Sequence, residues 1–382
     1  MKGRTVNRAV WAFGLVLGAF IFTAADASAG QFKRPAYYRA GRAPYQAVAT
    51  QLTRSGNLDL VMADYLSNQI IVLLGKGEGN FERPIAFAAP APIGLAVGDL
   101  NGDGNEDLLV VESGGTGSGA LAVFLGHGDG RFSFKATYQL GSQAGFVTTA
   151  DFDADGKLDV AETDAGDGSE GVLRVFRGTG EGTLLKPTVY KIPDTPGALA
   201  AADLNGDHHP DLAVTQFSNG SVAVLLNDGT GKFLKPVSYN AAGGEVVDVK
   251  IADLRNSGDQ DLVIANLSAG MVVLLNKGDG TFGKPRVYQP TFFDWQPPEA
   301  CTVADFNLDG KLDVACVANY NSAYFFYGEG DGTFHPGIAI NETINNNGGF
   351  GIASGDFNHD KAPDLAIPIQ NYGKVAILLN TQ

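Results

Sequence analysis

Short apolar segments alternate with segments rich in glycine and aspartate along most of this 382-residue chain. In one representative stretch, residues 94–100, 108–111 and 120–125 are apolar, and a fourth segment, 132–140, follows a glycine-dense turn. Apolar runs of about four to eight residues between Gly, Asp and Asn clusters are typical of antiparallel strands joined by tight turns. The pattern therefore predicts a structural unit of four strands.

This unit is repeated seven times. Its acidic segment, which follows the first strand, begins at residues 51, 99, 151, 203, 253, 305 and 356. A period of about 50 residues with four short strands per repeat is typical of a propeller, in which each sheet packs against two neighbours. We therefore predict an all-β fold, a seven-bladed β-propeller with four-stranded antiparallel blades that occupies residues 30–382 as one domain.

The two ends of the sequence complement each other. The last unit ends at Gln382 after its third strand. Residues 30–35, Gly-Gln-Phe-Lys-Arg-Pro, match Gly-Asn-Phe-Glu-Arg-Pro at 79–84, which precedes a fourth strand. We expect the N-terminal strand to complete the C-terminal blade and close the ring, because this pairing removes two exposed sheet edges.

The first 29 residues predict an export signal. Lys2, Arg4 and Arg8 precede an apolar run at 9–25, which ends in the small residues Ala-Ser-Ala at 27–29. Signal peptidases cleave after such a pattern. A membrane anchor is the alternative, but the apolar run is short and a cleavage site follows it directly. We expect cleavage after residue 29 and a secreted or periplasmic protein.

Composition and charge narrow the choice of partners. The chain has 51 Gly and 17 Pro, and charged residues make up only 18%, which favours a turn-rich β protein. Its net charge of −15 becomes −17 when residues 1–29 are removed, since they carry three basic residues and one acid. Such a surface repels nucleic acid. We expect a monomer without a nucleic-acid partner and without a membrane span in the mature chain.

The acidic segments are candidate metal-binding loops. Residues 151–159, Asp-Phe-Asp-Ala-Asp-Gly-Lys-Leu-Asp, place carboxylates at positions 1, 3, 5 and 9 and glycine at position 6. This alternation turns side-chain oxygens toward one hard cation, and calcium takes about six to eight oxygens. The alternative is an Asx-rich turn without metal. The number of copies favours calcium, because aspartates packed this closely repel one another.

Five loops keep every side-chain ligand, and we expect about five structural calcium ions, which change the net charge from −17 to about −7. The predicted ligands are Asp99, Asn101, Asp103, Asp107, Asp151, Asp153, Asp155, Asp159, Asp203, Asn205, Asp207, Asp211, Asp305, Asn307, Asp309, Asp313, Asp356, Asn358, Asp360 and Asp364. The first loop lacks ligands at Gln51, Thr53 and Ser55, and the fifth lacks them at Arg255 and Ser257. His208 and Lys361 replace the sixth-position glycine, which predicts a strained turn.

The acidic loop and the glycine turn together resemble the FG-GAP/VCBS repeats, which form the propeller head of integrin alpha chains. The glycine turn at 278–285 reads Gly-Asp-Gly-Thr-Phe-Gly-Lys-Pro, and the resemblance extends over residues 30–382. It implies calcium in the acidic loops and a role in extracellular adhesion or recognition. Some bacterial and fungal members of the family are lectins or carbohydrate lyases.

Strand order separates the loops onto two faces. In a four-stranded meander the acidic loops and glycine turns lie on one face, and the second turns and the links between blades lie on the other. Exposed aromatic residues on loops are typical of recognition surfaces, although packing in the core is the alternative. The candidate ligand-binding residues are Tyr65, Phe217, Phe292, Phe293, Trp295, Tyr320 and Tyr372.

We expect a binding or adhesion module for a carbohydrate or an extracellular protein rather than an enzyme. No Ser-His-Asp arrangement is indicated on the candidate binding face. The alternative is a polysaccharide lyase that uses carboxylates on that face. The carboxylates considered for this role are Glu112, Glu162, Asp164, Asp294 and Glu299.

The two cysteines occupy equivalent positions on neighbouring strands. Cys301 lies four residues before Asp305, and Cys316 lies three residues after Asp313. Other units have apolar residues at these positions, so two buried free cysteines are one reading. In an oxidising compartment a cross-strand disulfide is the other.

Overall fold

The computed structural model describes residues 32–113, 118–166, 170–290, 296–318, 322–340 and 351–382. These residues form seven four-stranded antiparallel sheets arranged as a β-propeller, which confirms the predicted fold class. The predicted export signal at 1–29 lies outside the described residues. Within them, we find no helix with the length and apolar character needed to cross a membrane.

The strands follow one another around the ring. The N-terminal strand and blades one to three contain β1 (Ala36–Arg39), β2 (Pro44–Thr50), β3 (Asp59–Asp64), β4 (Gln69–Leu73), β5 (Gly75–Gly77), β6 (Asn80–Phe81), β7 (Ile85–Ala88), β8 (Pro92–Gly98), β9 (Asp107–Glu112), β10 (Ala120–Gly126), β11 (Phe132–Gln139), β12 (Ala144–Ala150), β13 (Asp159–Asp164), β14 (Glu170–Phe176) and β15 (Thr188–Pro193). Blades four to seven contain β16 (Pro196–Ala202), β17 (Asp211–Gln216), β18 (Ser221–Leu225), β19 (Val237–Asn240), β20 (Val246–Ala252), β21 (Asp261–Asn266), β22 (Gly270–Leu274), β23 (Arg286–Tyr288), β24 (Pro298–Ala304), β25 (Asp313–Ala318), β26 (Ser322–Phe326), β27 (Ile338–Ala339), β28 (Ala353–Gly355), β29 (Asp364–Ile369) and β30 (Lys374–Leu378).

Each blade is a meander whose first strand lies nearest the axis. The first strands β2, β8, β12, β16, β20, β24 and β28 contact one another around the ring. The second strands, such as β3 and β17, are buried along their whole length. The outer strands, such as β11, alternate between half-buried and exposed residues, since only one of their faces packs against a neighbouring blade.

The hydrophobic core is divided among the blade interfaces. Seven clusters of buried side chains occur in the described residues, and each joins two adjacent sheets. At the interface of blades seven and one, Leu60 and Met62 of β3 pack with Ile377 of β30. Phe81 inserts there from the glycine turn, and its ring lies 5.2 Å from that of Tyr38. Burial between sheets thus stabilises the ring as a whole.

The seventh blade contains strands from both ends of the described chain. Its sheet has the order β1, β30, β29, β28, with Ala36 opposite Ile377 and Arg39 opposite Lys374. Phe32 precedes β1 and stacks on Phe325 of the sixth blade at 5.1 Å between ring centroids. The N-terminal segment therefore contributes both a strand and a core side chain.

Cys301 and Cys316 are joined by a disulfide across β24 and β25 of the sixth blade. Both are buried. The equivalent pair in the second blade is Leu95 and Val110, which face each other in the same register. The disulfide therefore replaces an apolar cross-strand contact within one blade and does not connect two blades.

Candidate metal-binding loops

The first aspartate of each loop from the second to the seventh holds the turn from inside. In the third loop, Asp151 Oδ1 accepts a hydrogen bond from the backbone N–H of Asp155 at 3.1 Å. Its Oδ2 accepts one from Gly156 at 2.8 Å. In the sixth loop, Asp305 accepts the same two bonds from Asp309 and Gly310. The first carboxylate therefore fixes the backbone of the loop.

The sixth position has a left-handed backbone in every loop. Gly156 has φ of 82°, whereas His208 and Lys361, which replace glycine, have φ of 68° and 76°. A side chain in this conformation costs roughly 1 to 2 kcal/mol. The fourth and seventh loops therefore contain the strain that the sequence indicates, although their first aspartates make the usual hydrogen bonds.

The ninth residue is a buried aspartate in all seven loops. Asp159 Oδ2 accepts a hydrogen bond from Phe152 N–H at 3.1 Å, and its Oδ1 accepts one from Gly178 N–H at 2.8 Å. The first loop repeats this pattern at Asp59 although it has lost the other ligands. The ninth aspartate thus ties each loop to the end of the third strand. Its remaining lone pairs are available to a cation.

Three carboxylates converge in the third loop. Asp151, Asp153 and Asp159 each offer an oxygen, and these oxygens lie within 4.8 Å of one another. Among the described residues, this is the only group of His, Cys, Asp or Glu side chains with such convergence. Arg177 contacts Asp153 at 2.8 Å, and Lys157 contacts Asp155 at 2.9 Å. An all-oxygen donor set of this kind suits calcium.

The ionisation of the ninth aspartates is unfavourable in these surroundings. Burial raises the pKa of Asp159 to about 6, and the charges of Asp153 and Asp151 act in the same direction. Burial likewise raises the pKa of Asp364 in the seventh loop to about 7. A divalent cation beside these groups reverses the effect, because it favours the ionised carboxylate.

In the second, fourth, sixth and seventh loops an asparagine takes the third position. The side-chain contact to the fifth position is recorded in three of them. The amide nitrogen of Asn101 donates to Asp103 Oδ2 at 3.0 Å, and Asn205 and Asn358 donate to Asp207 and Asp360 in the same way. The side chains at the third and fifth positions are therefore neighbours in these loops. The predicted ligands of each loop lie on one turn. Among the described residues, three carboxylates converge only in the third loop.

The fifth loop contains a cationic side chain where the others have a ligand. Arg255 Nε and Nη2 donate to both oxygens of Asp261, at 3.0 and 2.8 Å. The same Nη2 donates to the carbonyl oxygen of Asn276 at 2.9 Å and lies 3.5 Å from Asp259. Sequence reasoning identified the lost ligand but missed this role. The signal was present, since the arginine lies within reach of three acids of its own loop.

The family assignment follows from a sequence profile described as FG-GAP-like repeat. It matches residues 52–110, 99–162, 164–214, 203–264, 253–316 and 305–367, which together cover well over half of the chain. The chain belongs to the FG-GAP repeat family. Each match includes at least one complete acidic loop of this FG-GAP protein.

One curated relative is cartilage acidic protein 1 of Xenopus tropicalis, which is 22% identical over 308 residues. The aligned region covers 73% of this chain, and the chain spans about 40% of the length of that relative.

Solved propellers resemble the structure at lower identity. An Agrocybe aegerita lectin, solved for its recognition of non-reducing terminal N-acetylglucosamine, has a TM-score of 0.55 at 19% identity, with 85% of each chain covered. BBS1N, in a complex with ARL6DN soaked with lead, has a TM-score of 0.58 at 11% identity. That match covers 92% of this chain and 97% of BBS1N. At these identities the likeness shows the fold.

The second turns and the links between blades of the FG-GAP propeller form the face opposite the acidic loops, which we call the link face. Asp194 of one link accepts hydrogen bonds from Ser218 and Asn219 of a second turn. Tyr65 and Tyr372 begin and end the 3₁₀ turns Tyr65–Ser67 and Gln370–Tyr372 and are 36% and 60% exposed.

The other aromatic candidates are less accessible or outside the described residues. Phe217 is half-buried in a second turn. Phe292, Phe293, Trp295 and Tyr320 lie outside the described residues. Tyr65 and Tyr372 are therefore the aromatic candidates that the structure places, exposed, on the link face.

The carboxylates considered for lyase chemistry differ in environment. Glu162 and Asp164 are not on exposed loops but buried in β13, where both contact Arg174 Nη1, at 3.0 and 3.1 Å. The prediction that Glu162 and Asp164 are accessible bases is therefore wrong. Glu112 is half-buried, and Asp294 lies outside the described residues. Burial raises the pKa of Glu299 to about 7.

Glu299 is also buried, at 7% exposure. It lies on β24, one of the first strands that line a central cavity of about 310 Å³. The wall of this cavity is polar, with an ion pair of 2.7 Å between Lys250 and Asp248 and a hydrogen bond of 2.7 Å between Thr302 and Ser354. Its polar groups therefore mostly pair with one another across and along the strands.

Proposed function

We propose that this FG-GAP protein is a calcium-stabilised binding or adhesion module whose link face takes a carbohydrate or an extracellular protein. The observation that carries the calcium part is the convergence of Asp151, Asp153 and Asp159. Like charges at this distance are costly unless a cation lies among them. The second, fourth, sixth and seventh loops share its spacing, so we expect about five structural ions.

The difference between the two faces of the propeller supports the proposal that the link face binds the ligand. The acidic-loop face is committed to backbone hydrogen bonds and metal ligands, whereas the link face has exposed tyrosines at Tyr65 and Tyr372. Aromatic rings on a rigid scaffold stack on sugars and anchor protein partners. Two proteins with this fold bind such ligands, namely the lectin that recognises N-acetylglucosamine and BBS1N in complex with ARL6DN.

Export fits the proposed metal. Extracellular calcium modules bind with a Kd on the order of 0.1 to 1 mM, which only extracellular or periplasmic calcium concentrations satisfy. The predicted signal at 1–29 directs the chain to such a compartment. We therefore propose that the protein acts in the periplasm or outside the cell, as a monomer.

A glycan array with and without calcium tests the proposed function. We expect binding in calcium, and loss of that binding in Tyr372→Ala. The matched control is Phe134→Ala, because Phe134 is 62% exposed but lies on the outer strand β11. If Tyr372→Ala and Phe134→Ala bind as the unchanged protein does, Tyr372 has no part in recognition. Absence of binding to glycans and to extracellular proteins contradicts the proposal.

A polysaccharide lyase is the second candidate. Burial raises the pKa of Glu299 to about 7, which favours this candidate, since a general base works best with a pKa near the ambient pH. Its side chain is 7% exposed, so lyase activity requires an opening of the fold that lets a substrate reach it. Incubation with polygalacturonate, followed by ultraviolet absorbance of unsaturated products, tests it against Glu299→Gln. Product formed by the unchanged protein and not by the variant identifies a lyase.

A further inference from the structure

Positive charge is concentrated near the start of the described chain. Residues 32–58 contain five basic side chains and no acidic one, although the whole chain has a net charge of −15. This segment includes β1, the link to blade one and β2. It therefore lies at the seam where blade seven meets blade one.

Three arginines at this seam lack an acidic partner. Arg39, Arg42 and Arg83 are exposed, and no carboxylate of the described residues lies within 4.0 Å of their side-chain nitrogens. Other arginines of the described residues do pair with acids, as in the contacts of Arg174 with Glu162 and Arg255 with Asp261. In an acidic protein, three unpaired guanidinium groups on one surface form a local positive field.

The three arginines line one elongated groove, which we call the seam groove. It consists of two adjoining cavities of about 560 and 710 Å³ that share Gly41, Arg42 and Leu66. The first cavity reaches Tyr372 in the second turn of blade seven. The second includes Arg39 and continues along the outer strand of blade one to Arg83. The groove therefore begins on the link face and runs over the rim of the propeller.

The floor and walls of the seam groove are held by buried groups. Asp64 is fully buried, and its two oxygens accept hydrogen bonds from the backbone N–H groups of Arg42 and Ala43, at 3.0 and 2.8 Å. Its carboxylate therefore fixes the link that carries Arg42 and does not contact the guanidinium group. Leu66 and Tyr372 add exposed apolar surface, at 55% and 60% exposure.

We propose that the seam groove binds an anionic polysaccharide, with its sulfate or carboxylate groups on Arg39, Arg42 and Arg83 and its sugar rings against Tyr372 and Leu66. Guanidinium groups form strong paired hydrogen bonds with such anions. Three of them spaced along an open groove match a polymer with repeated charges better than a single small anion. This inference rests on the proposed role of the link face in binding.

The test compares dextran sulfate with unmodified dextran of the same length, at constant calcium, by titration calorimetry. We expect binding of dextran sulfate only, with an affinity that falls as salt is raised. Each of Arg39→Gln, Arg42→Gln and Arg83→Gln should weaken binding about tenfold, since each removes a charge-assisted hydrogen bond. Polygalacturonate in place of dextran sulfate distinguishes carboxylate from sulfate as the preferred group.

A matched triple variant controls for net charge. Lys33→Gln, Arg34→Gln and Arg54→Gln remove the same charge from the same segment, at exposed residues that do not line the groove. The inference predicts near-normal binding in this control and loss of binding in the triple variant of Arg39, Arg42 and Arg83. Equal losses in the two triple variants overturn it, because binding is then a matter of overall charge.

Other outcomes separate this inference from the proposed function. Binding of a neutral glycan, with none of dextran sulfate or polygalacturonate, overturns the seam groove as a polyanion site and leaves the binding module in place. Equal affinity for polyglutamate overturns the choice of a polysaccharide and points to an acidic protein. A failure of every glycan, protein and polyanion to bind contradicts both proposals.

Discussion

The third and fifth acidic loops have the same backbone but balance their carboxylates in different ways. In both loops the first aspartate accepts hydrogen bonds from the fifth and sixth backbone N–H groups, and Gly156 and Gly258 have φ of 82° and 87°. The third loop gathers three carboxylate oxygens within 4.8 Å. The fifth loop inserts the guanidinium group of Arg255 between its acids.

The difference supports the proposal that each loop balances its carboxylates with a cation, which is either a bound ion or a side chain. Asp261 accepts only one of the two backbone hydrogen bonds that Asp159 accepts, from Asn276 N–H, and Arg255 donates to both of its oxygens, which opposes the rise in pKa that burial causes. Asp159 has no such partner, and burial raises its pKa to about 6. The fifth loop therefore balances its buried acid with its own arginine, whereas we propose that calcium does so in the third loop.

Removal of calcium should have the largest effect. At ten times the Kd, each ion contributes about 1.4 kcal/mol, so five independent sites contribute about 7 kcal/mol to the free energy of unfolding. Chelation should lower the melting temperature steeply, as measured by calorimetry, and magnesium should not restore it fully. A melting temperature that is independent of chelator contradicts structural calcium.

Arg255→Ala should be the most damaging single change in the loops, because it leaves Asp261 buried without its charged partner. Loss of one partner of a buried pair costs about 3 kcal/mol. Denaturant unfolding in saturating calcium measures it. The matched control is Arg177→Ala, whose partner Asp153 would then be balanced by calcium and whose side chain is 44% exposed. We expect less than about 1 kcal/mol there, and equal losses in the two variants contradict the comparison.

The fifth loop should become a metal site when its side chains match the others. Arg255→Asn with Ser257→Asp restores oxygens at the third and fifth positions. Without calcium this double variant should be as unstable as Arg255→Ala, and calcium at ten times the Kd should restore about 1.4 kcal/mol. Equilibrium dialysis should find about one more ion per chain than in the unchanged protein. Unchanged stoichiometry means that the loop backbone is not sufficient for binding.

The sequence predicted features that depend on the repeat, and missed those that depend on which blades meet. The period fixed the number of blades and the alignment of Cys301 with Cys316, because residues at equal offsets occupy equal places in every sheet. The pattern predicts the ninth aspartates as ligands, yet their presence in the first and fifth loops also indicates a structural role. The spacing places Arg255 within reach of three acids of its own loop, but which of them it contacts depends on distances between side chains that spacing alone does not give.

The seam groove lay beyond sequence reasoning for a different reason. Arg42 and Tyr372 are 330 residues apart in the chain and meet only because blade seven packs against blade one. The net charge of −15 also concealed the positive segment at 32–58. The net charge describes repulsion at long range. Recognition depends instead on the charged groups that lie within one Debye length of the ligand, about 10 Å.

The smallest expected effect concerns Glu162, which shares the guanidinium group of Arg174 with a second acid. Asp261 is the main partner of Arg255, whereas Arg174 contacts both Glu162 and Asp164. Glu162 Oε1 has no hydrogen-bond partner within the described structure. Burial raises the pKa of Glu162 to about 7, although Arg174 opposes the rise. The ordinary pKa of the group is 4.5. Between these values the unfolded chain loses its proton before the folded protein does.

The free energy of unfolding should therefore fall as pH rises from about 4.5 to about 7 and then level off, since the folded state holds the extra proton in that window. Glu162→Gln keeps the shape but removes the titration. Relative to the unchanged protein it should gain about 1 kcal/mol between pH 5 and pH 6, measured by urea unfolding in saturating calcium so that the loop carboxylates stay ionised. Parallel pH profiles of the two proteins would show that Arg174 satisfies both acids as fully as Arg255 satisfies Asp261.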